Sequence, residues 1–241
     1  MEVGLPEEER LPYMQLRELA IGEITSQEEE RYLDQEALLR FLRAREYRVS
    51  DAFEMWKKWK AWRITYRIDY ITEESIQRSY VTGKALVLGH DRNNHPCIIV
   101  RVRFHEPDEF SVEETMHFAI WLMEKAVKQA DEMGSKKICV IHDRGAMTAR
   151  NKDTRLMELG KSMSGMLQDF YAERLASFYV LHVNWLYWLM YQVMKPLMNR
   201  KTRDKIHILK NPADLLQFFD EDQLLPEYGG SSTYRHPYPA S

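Results

Sequence analysis

Cysteine is scarce. The 241 residues hold two, Cys97 and Cys139, each inside an apolar run that reads as a strand. They offer no disulfide framework and no zinc-ligand spacing, and two such thiols fit a reducing compartment. Positive charge is not in excess either. The net charge is -3 and the pI is near 6.3, which argues against a general nucleic-acid binder while leaving room for a local basic patch. The N-terminus, "MEVGLPEEERL", is acidic and lacks the apolar stretch of a secretory signal. A cytoplasmic protein is expected. There is no internal repeat and no low-complexity tract.

Catalytic signatures are missing as well. "GKS" at Gly160–Ser162 resembles the end of a P-loop, but Arg155 stands where the leading glycine belongs, and the segment reads as helix interior. "SMSG" fails the nucleophile-elbow pattern, because Ser164 occupies the position two after Ser162. The eight histidines show no metal-ligand pairing. His142 and His182 fall in strands, where a satisfied core histidine is the ordinary outcome and a pocket role the alternative. Asp143 ends a strand and is expected to fix the loop that follows. No enzyme, no cofactor and no metal site is expected.

Long hydrophobic runs are nearly absent, with one exception. Leu175–Met194 is long enough to cross a bilayer if helical. Its first part, "SFYVLHV", is β-branched and aromatic and reads as a buried strand. His182, Asn184 and Gln192 would be costly in lipid. Asn184 is a good N-cap for a helix then too short to span. That helix, "NWLYWLMYQVMKPLMN", is apolar nearly all round and runs into the basic "RKTRDK".

The first third of the chain reads helical. "QEALLRFLRARE" puts Leu38, Leu39, Phe41 and Leu42 on one face. "YRV" breaks it, and Ser50 is expected to N-cap the next helix, with Asp51 and Glu54 in its first turn. There Ala52, Met55, Trp56, Trp59, Trp62 and Tyr66 recur at helical spacing and are expected to pack in a core. From about Tyr80 the period changes. "KALVLG" and "CIIVRVRF" read as strands joined by the turn "HDRNNHP". Ser111 and Glu114 suggest a capping box for a helix over Val112–Met133. "KICVIHD", "SFYVLHV" and "KIHIL" complete the strands. Asp153 is expected to cap a helix carrying Leu156, Leu159, Met163, Leu167 and Phe170, and "PADLLQFF" to close the chain as a helix. Strands alternating with helices predict an α/β sheet. Thirteen methionines and 12% aromatic residues suit an irregular apolar cavity.

Three stretches together resemble a known family. "LLRFLRAREYRVSDAFEMWKKWKAWR", "DFYAERLASFYVLHVNWLYWLMYQVMKPLMNRKTRDKIHIL" and "LLPEYGG" are similar to the ordered motifs of CRAL-TRIO proteins, over roughly Glu36 to Gly230. The resemblance implies an N-terminal helical tripod over residues 1–70 and a lipid-binding domain over 75–230 with a mixed sheet floor, hydrophobic pocket and gate helix; the terminal stretch over 231–241 is expected to be a loose tail. It implies a gate helix from Trp185 to Met198 bearing Trp188, Tyr191 and Met194. It further implies that Arg45, Glu173, Thr202 and Lys205 hold a phosphatidylinositol headgroup. Cations would pair with the phosphodiester, while the glutamate and threonine bond inositol hydroxyls. Lys195, Arg200, Lys201 and Arg203 would meet an anionic membrane surface. The expected partners are thus phosphatidylinositol or another phospholipid, a transient membrane surface and a second hydrophobic ligand, with no nucleic acid. Ala172 replaces the usual proline of the "YPER" motif. Val87, Ile138 and Val140 stand where phosphatidylcholine-coordinating hydroxyls would be, which points any second ligand towards a more apolar molecule. The alternatives are a carrier or sensor of a sterol, retinoid-like molecule or haem, and a lipid hydrolase.

Overall fold

By its internal packing the chain divides into two units, residues 1–70 with 159–173 and residues 71–158 with 174–241. The computed structural model of the protein describes residues 5–153, 155, 169–195 and 203–236.

The first unit is built on three helices, α1 (Glu7–Ile21), α2 (Gln35–Ala44) and α3 (Val49–Thr65). The Asp34 carboxylate caps α2 by accepting from Ala37 N at 2.9 Å. Glu46 and Tyr47 end it with two successive left-handed residues, φ 52° and 60°, which is the break foreseen at "YRV". Leu38, Leu39, Phe41 and Leu42 are buried, as their spacing predicts. The α3 start differs from expectation. Ala52 N already bonds Arg48 O at 3.0 Å, so the helix begins at Val49 and Ser50 lies inside its first turn. The tryptophan stripe is core: Trp56, Trp59 and Trp62 are buried, and Trp56 Nε1 donates to Tyr32 O at 3.0 Å. Tyr66 falls past the last helical residue and is exposed. One buried charge has no counterpart among the sequence expectations. Glu9 receives both Arg43 Nε and Nη2 at 3.0 Å and Tyr47 OH at 2.5 Å. Those hydrogen bonds, Arg43 first, hold its carboxyl below the usual range against the opposing effect of burial.

The second unit carries a mixed five-stranded sheet in sequence order: β1 (Ala85–His90), β2 (Pro96–Arg101), β3 (Ile138–Asp143), β4 (Leu175–Leu181) and β5 (Ile206–Ile208). The first pair is antiparallel and the others parallel. Asp91 makes the hairpin turn, accepting from Asn93 N and His95 N at 2.9 Å each, while Asn94 supplies φ 61°. Expected strand "CIIVRVRF" is shorter than foreseen, because Val102–Phe104 turn into a 3₁₀ segment. Strand "SFYVLHV" is shifted, starting at Leu175 and stopping before His182, whose φ of 54° cannot continue a ladder.

A short helical turn, α4 (Gln77–Tyr80), precedes β1. The long helix α5 (Val112–Glu132) lies on one face of the sheet. Its capping box is present: Glu114 N donates to Ser111 Oγ at 3.1 Å and Ser111 N to Glu114 Oε2 at 2.8 Å. Ala126 and Ala130, both fully buried, let it sit close over Ile98 and Ile138. The opposite face is covered by three 3₁₀ segments, Pro212–Gln217, Glu221–Gln223 and Pro226–Tyr228. "PADLLQFF" thus forms 3₁₀ turns in place of the expected α-helix. The glycine pair after them is required: Gly229 has φ 83°, and a Cβ on Gly230 would lie 2.1 Å from Leu224 O. The described part of the tail is tied down, with His236 Nε2 3.0 Å from Tyr80 O and its ring 5.2 Å from the Tyr80 ring. The helix expected after Asp153 falls mostly outside the described residues. Asp153 itself accepts from Arg155 N at 3.0 Å.

Candidate functional site

Alternation along the strands gives the sheet two unlike faces. One carries Leu86, Ile99, Cys139, Ile141, Tyr179 and Leu181, all buried beneath Leu215, Phe219, Leu224 and Tyr228. Cys97 and Cys139 are register partners there, both buried and free. Burial pushes the Cys139 thiol well above its ordinary pKa, so it is an unreactive packing group.

The other face is set by register. One row runs Val87, Ile98, Val140, Phe178, Ile206; the next runs Ala85, Val100, His142, Val180, Ile208. Helix α5 packs over the β1–β3 side of these rows. Towards β5, Phe178, Ile206 and Ile208 are only half-buried, as are Val140 and His142. The His142 ring stacks on Phe178, with centroids 5.9 Å apart at 26°. Its Nδ1 is buried and has no hydrogen bond to a described side chain or backbone group. Burial lowers its pKa to about 4, so the ring is neutral at neutral pH. His142 is therefore not the satisfied core histidine that its place in a strand suggests.

At the end of β3 the Asp143 carboxylate collects four donors: Gly145 N at 2.7 Å, His182 Nδ1 at 2.8 Å, Arg103 Nη1 at 2.6 Å and Tyr228 OH at 3.1 Å. Burial works to raise its pKa, but these bonds outweigh burial and hold the carboxyl below the usual range. Arg103 also pairs with Glu227. Asp143 fixes its loop, as expected, and ties three chain segments together. "HDR" and "LLPEYGG" are both conspicuous in sequence, but nothing in either says that Asp143 and Tyr228, 85 positions apart, meet. The exposed ring of His182 is held at this edge and leaves the core.

The last described helix, α6 (Trp185–Met194), starts three residues later. Asn184 caps it as foreseen, accepting from Tyr187 N at 2.9 Å. Tyr187 also lies over the Arg144 guanidinium at 4.7 Å. Trp185 is 75% exposed, Trp188 51%, and Leu189 and Val193 are exposed beside them. Tyr191 is half-buried. The Met194 side chain and residues 196–202 lie outside the described residues, so the gate helix is seen to Met194. Lys195 is exposed and Arg203 half-buried. Arg200, Lys201 and Thr202 lie outside. No helix among the described residues is long and apolar enough to cross a membrane.

Three of the four expected headgroup residues are described. Arg45 follows α2 and pairs with Asp169, Nη2 to Oδ1 3.2 Å. Glu173 is half-buried at φ 60° and has no hydrogen bond or ion pair to a described residue. Both belong to the first unit and Lys205 to the second. Lys205 precedes β5, where its carbonyl accepts from Phe178 N at 2.7 Å. The neighbouring Arg174 is structural: its guanidinium grips Asp131 of α5 at 2.6 and 2.9 Å and reaches Lys136 O at 3.0 Å.

The family model for the CRAL/TRIO domain matches residues 80–230, and that for the CRAL/TRIO N-terminal domain matches residues 11–58. The chain belongs to the CRAL/TRIO family. A CRAL-TRIO domain-containing protein of Schizosaccharomyces pombe is 28% identical over 214 residues, covering 84% of this chain and 47% of that protein. The Phosphatidylinositol transfer protein CSR1 of Eremothecium gossypii is 24% identical over 213 residues, 82% of this chain and 47% of that protein. The chain thus spans about half the length of either curated relative. The crystal structure of Sfh5 has the same CRAL/TRIO fold, with a TM-score of 0.75 at 17% identity, covering 96% of this chain and 90% of that one.

Proposed function

We propose that this CRAL/TRIO chain binds phosphatidylinositol and transfers it between membranes or presents it to lipid kinases. Arg45, Glu173, Thr202 and Lys205 serve the headgroup, and α6 is the movable cover. The observation that carries the reading is the half-buried apolar face of Val140, Phe178, Ile206 and Ile208, in a chain similar to a phosphatidylinositol transfer protein. Acyl chains want such a surface. The residue types of the quartet suit the headgroup, and the carboxylate of Glu173 has no described partner to compete for it. Trp185 and Trp188 present apolar rings to solvent, which suits a bilayer interface. Lys195, Arg200, Lys201 and Arg203 add attraction to anionic lipid, about 1 kcal/mol for each cation near the surface.

Exchange of labelled phosphatidylinositol between vesicles tests this. A charge-assisted bond to phosphate is worth about 1.5–3 kcal/mol, so Lys205→Ala should slow exchange at least about tenfold. Glu173→Ala should lose exchange too, without a lower melting temperature. Trp185→Asp with Trp188→Asp should slow exchange while the fold is kept. Exchange by Lys205→Ala at the parent rate would sink the headgroup assignment.

A further inference from the structure

Arg45 stands where α2 ends, and the two residues after it, Glu46 and Tyr47, are both left-handed, φ 52° and 60°. That conformation is unfavourable for a residue with a side chain, so two in succession persist only where other contacts hold them. The backbone supplies one contact: Tyr47 N donates to Leu42 O at 2.8 Å. The buried carboxylate of Glu9, on α1, supplies the others. It accepts from Arg43 Nε and Nη2 at 3.0 Å each and from Tyr47 OH at 2.5 Å. One carboxylate thus grips the chain on both sides of Arg45, at residues 43 and 47. Arg43 Nη1 is also taken, by Glu36 at 3.1 Å. Of the two arginines in "RAR", Arg43 is therefore bound up by carboxylates. The Arg45 guanidinium makes one bond to a described residue, Nη2 to Asp169 Oδ1 at 3.2 Å, which leaves its Nε and Nη1 open among the described residues.

We propose that Glu9 is a positioning residue for headgroup binding: by clamping Arg43 and Tyr47 it fixes the direction in which Arg45 presents its guanidinium to the phosphodiester of phosphatidylinositol. This rests on the headgroup reading above and adds a residue to it. Glu9 lies before residues 11–58, the stretch that matches the family's N-terminal domain, so the clamp is separate from the motif that carries the quartet. The chemistry needs such a device. A guanidinium pairs with a phosphate through a planar fork, and the pairing is directional. Without Glu9, Tyr47 is free to leave the left-handed region and Arg43 is free to compete for the phosphate. Either change moves the fork away from its target, and a small displacement of a binding group has a large effect.

The test is a double-mutant cycle of Glu9→Gln and Arg45→Ala in the full chain, read by exchange of labelled phosphatidylinositol between vesicles. Donor vesicles hold phosphatidylinositol and phosphatidylserine at a constant total, so the ligand is titrated at fixed surface charge. Each variant is assayed well below its melting temperature. Arg45→Ala should raise the half-saturating phosphatidylinositol fraction about tenfold, the value of one charge-assisted bond. Glu9→Gln keeps the size and removes the charge, and should raise it about fivefold, because the guanidinium is displaced and not lost. Tyr47→Phe removes one hydrogen bond and should raise it about twofold; it takes the place of Glu9→Gln in the cycle if that variant does not fold. In the Arg45→Ala background neither change should add more than about 1.5-fold, because the residue they position is gone. Effects that multiply in full would mean a general loss of packing and overturn the inference. Parent behaviour of Glu9→Gln and Tyr47→Phe beside an impaired Arg45→Ala overturns it as well, and both results leave the headgroup reading standing. Parent exchange by Arg45→Ala removes the headgroup role of Arg45 and this inference with it.

Discussion

The same strands build both faces of the sheet, yet the two faces are finished differently. Tyr179 and Phe178 are neighbours on β4. Tyr179 is buried among Phe218, Phe219 and His207, its ring 4.8 to 5.5 Å from theirs. Phe178 faces the other way, is half-buried and has the His142 ring as its aromatic neighbour. The first face is closed by segments that follow the sheet in sequence and are locked by Asp143 and the glycine pair. The second is closed over β1–β3 by α5 and carries half-buried hydrocarbon towards β5. Stability is concentrated on one face, and capacity for an apolar ligand on the other.

The sharpest way to break this comparison is to truncate both aromatics. Tyr179→Ala removes a fully enclosed ring and should cost about 3–5 kcal/mol in urea unfolding. Phe178→Ala, which truncates a half-buried ring, should cost less and should weaken lipid extraction more than Tyr179→Ala does at temperatures where both are folded. Equal stability losses would mean that both faces are core.

Much of this architecture is legible in local sequence patterns. The continuous apolar runs in "CIIV" and "ICVIHD" mark both strands. Ser111, Glu114 and Asn184 mark helix starts by local chemistry that tertiary packing does not override. The misses have specific causes. Ser50 is a plausible cap, but the carbonyl of Arg48 starts the helix two residues earlier. "PADLLQFF" carries helical spacing, yet Pro212–Gln217 is 3₁₀, with Leu215 and Phe219 buried on the sheet. Tyr66 continues the tryptophan spacing past the last helical turn. The Asp143–Tyr228 and Glu9–Arg43–Tyr47 networks join residues far apart in sequence, and no local pattern encodes them. The orphan Nδ1 of His142 is hidden for the same reason: a histidine in a strand looks alike whether or not something meets it.

Asp143 is the charge that locks the closed face, and its carboxyl titrates below the usual range in the folded protein. A carboxyl depressed in this way stabilises the fold above its unfolded pKa of about 4, and the contribution is lost as pH falls through the folded value. Asp143→Asn should therefore cost about 2–3 kcal/mol near neutrality, because Arg103 and His182 lose a buried anion. As pH falls below about 4 the gap to the unaltered protein should narrow. Unfolding free energies measured across that range check it; a gap independent of pH would mean that packing, and not ionisation, sets the contribution.

The smallest effect sharpens the contrast most finely, because it places one chemistry on two helices. Ser111 caps α5, whose face is buried on the sheet, and Asn184 caps α6, whose tryptophans face solvent. Removing either cap to alanine costs about 1 kcal/mol of helix stability. For α5 that loss should pass into the whole fold, since Ala126 and Ala130 cannot leave the core without unfolding it. Ser111→Ala should lower global stability by about 1 kcal/mol. For α6 the loss should stay local, because its exposed face makes few contacts whose rupture unfolds the sheet. Asn184→Ala should leave the global transition within about 0.3 kcal/mol while amide exchange of Trp188 and Leu189 speeds up about fivefold. If instead Asn184→Ala lowers global stability as Ser111→Ala does, α6 is part of the cooperative core and cannot serve as a movable cover.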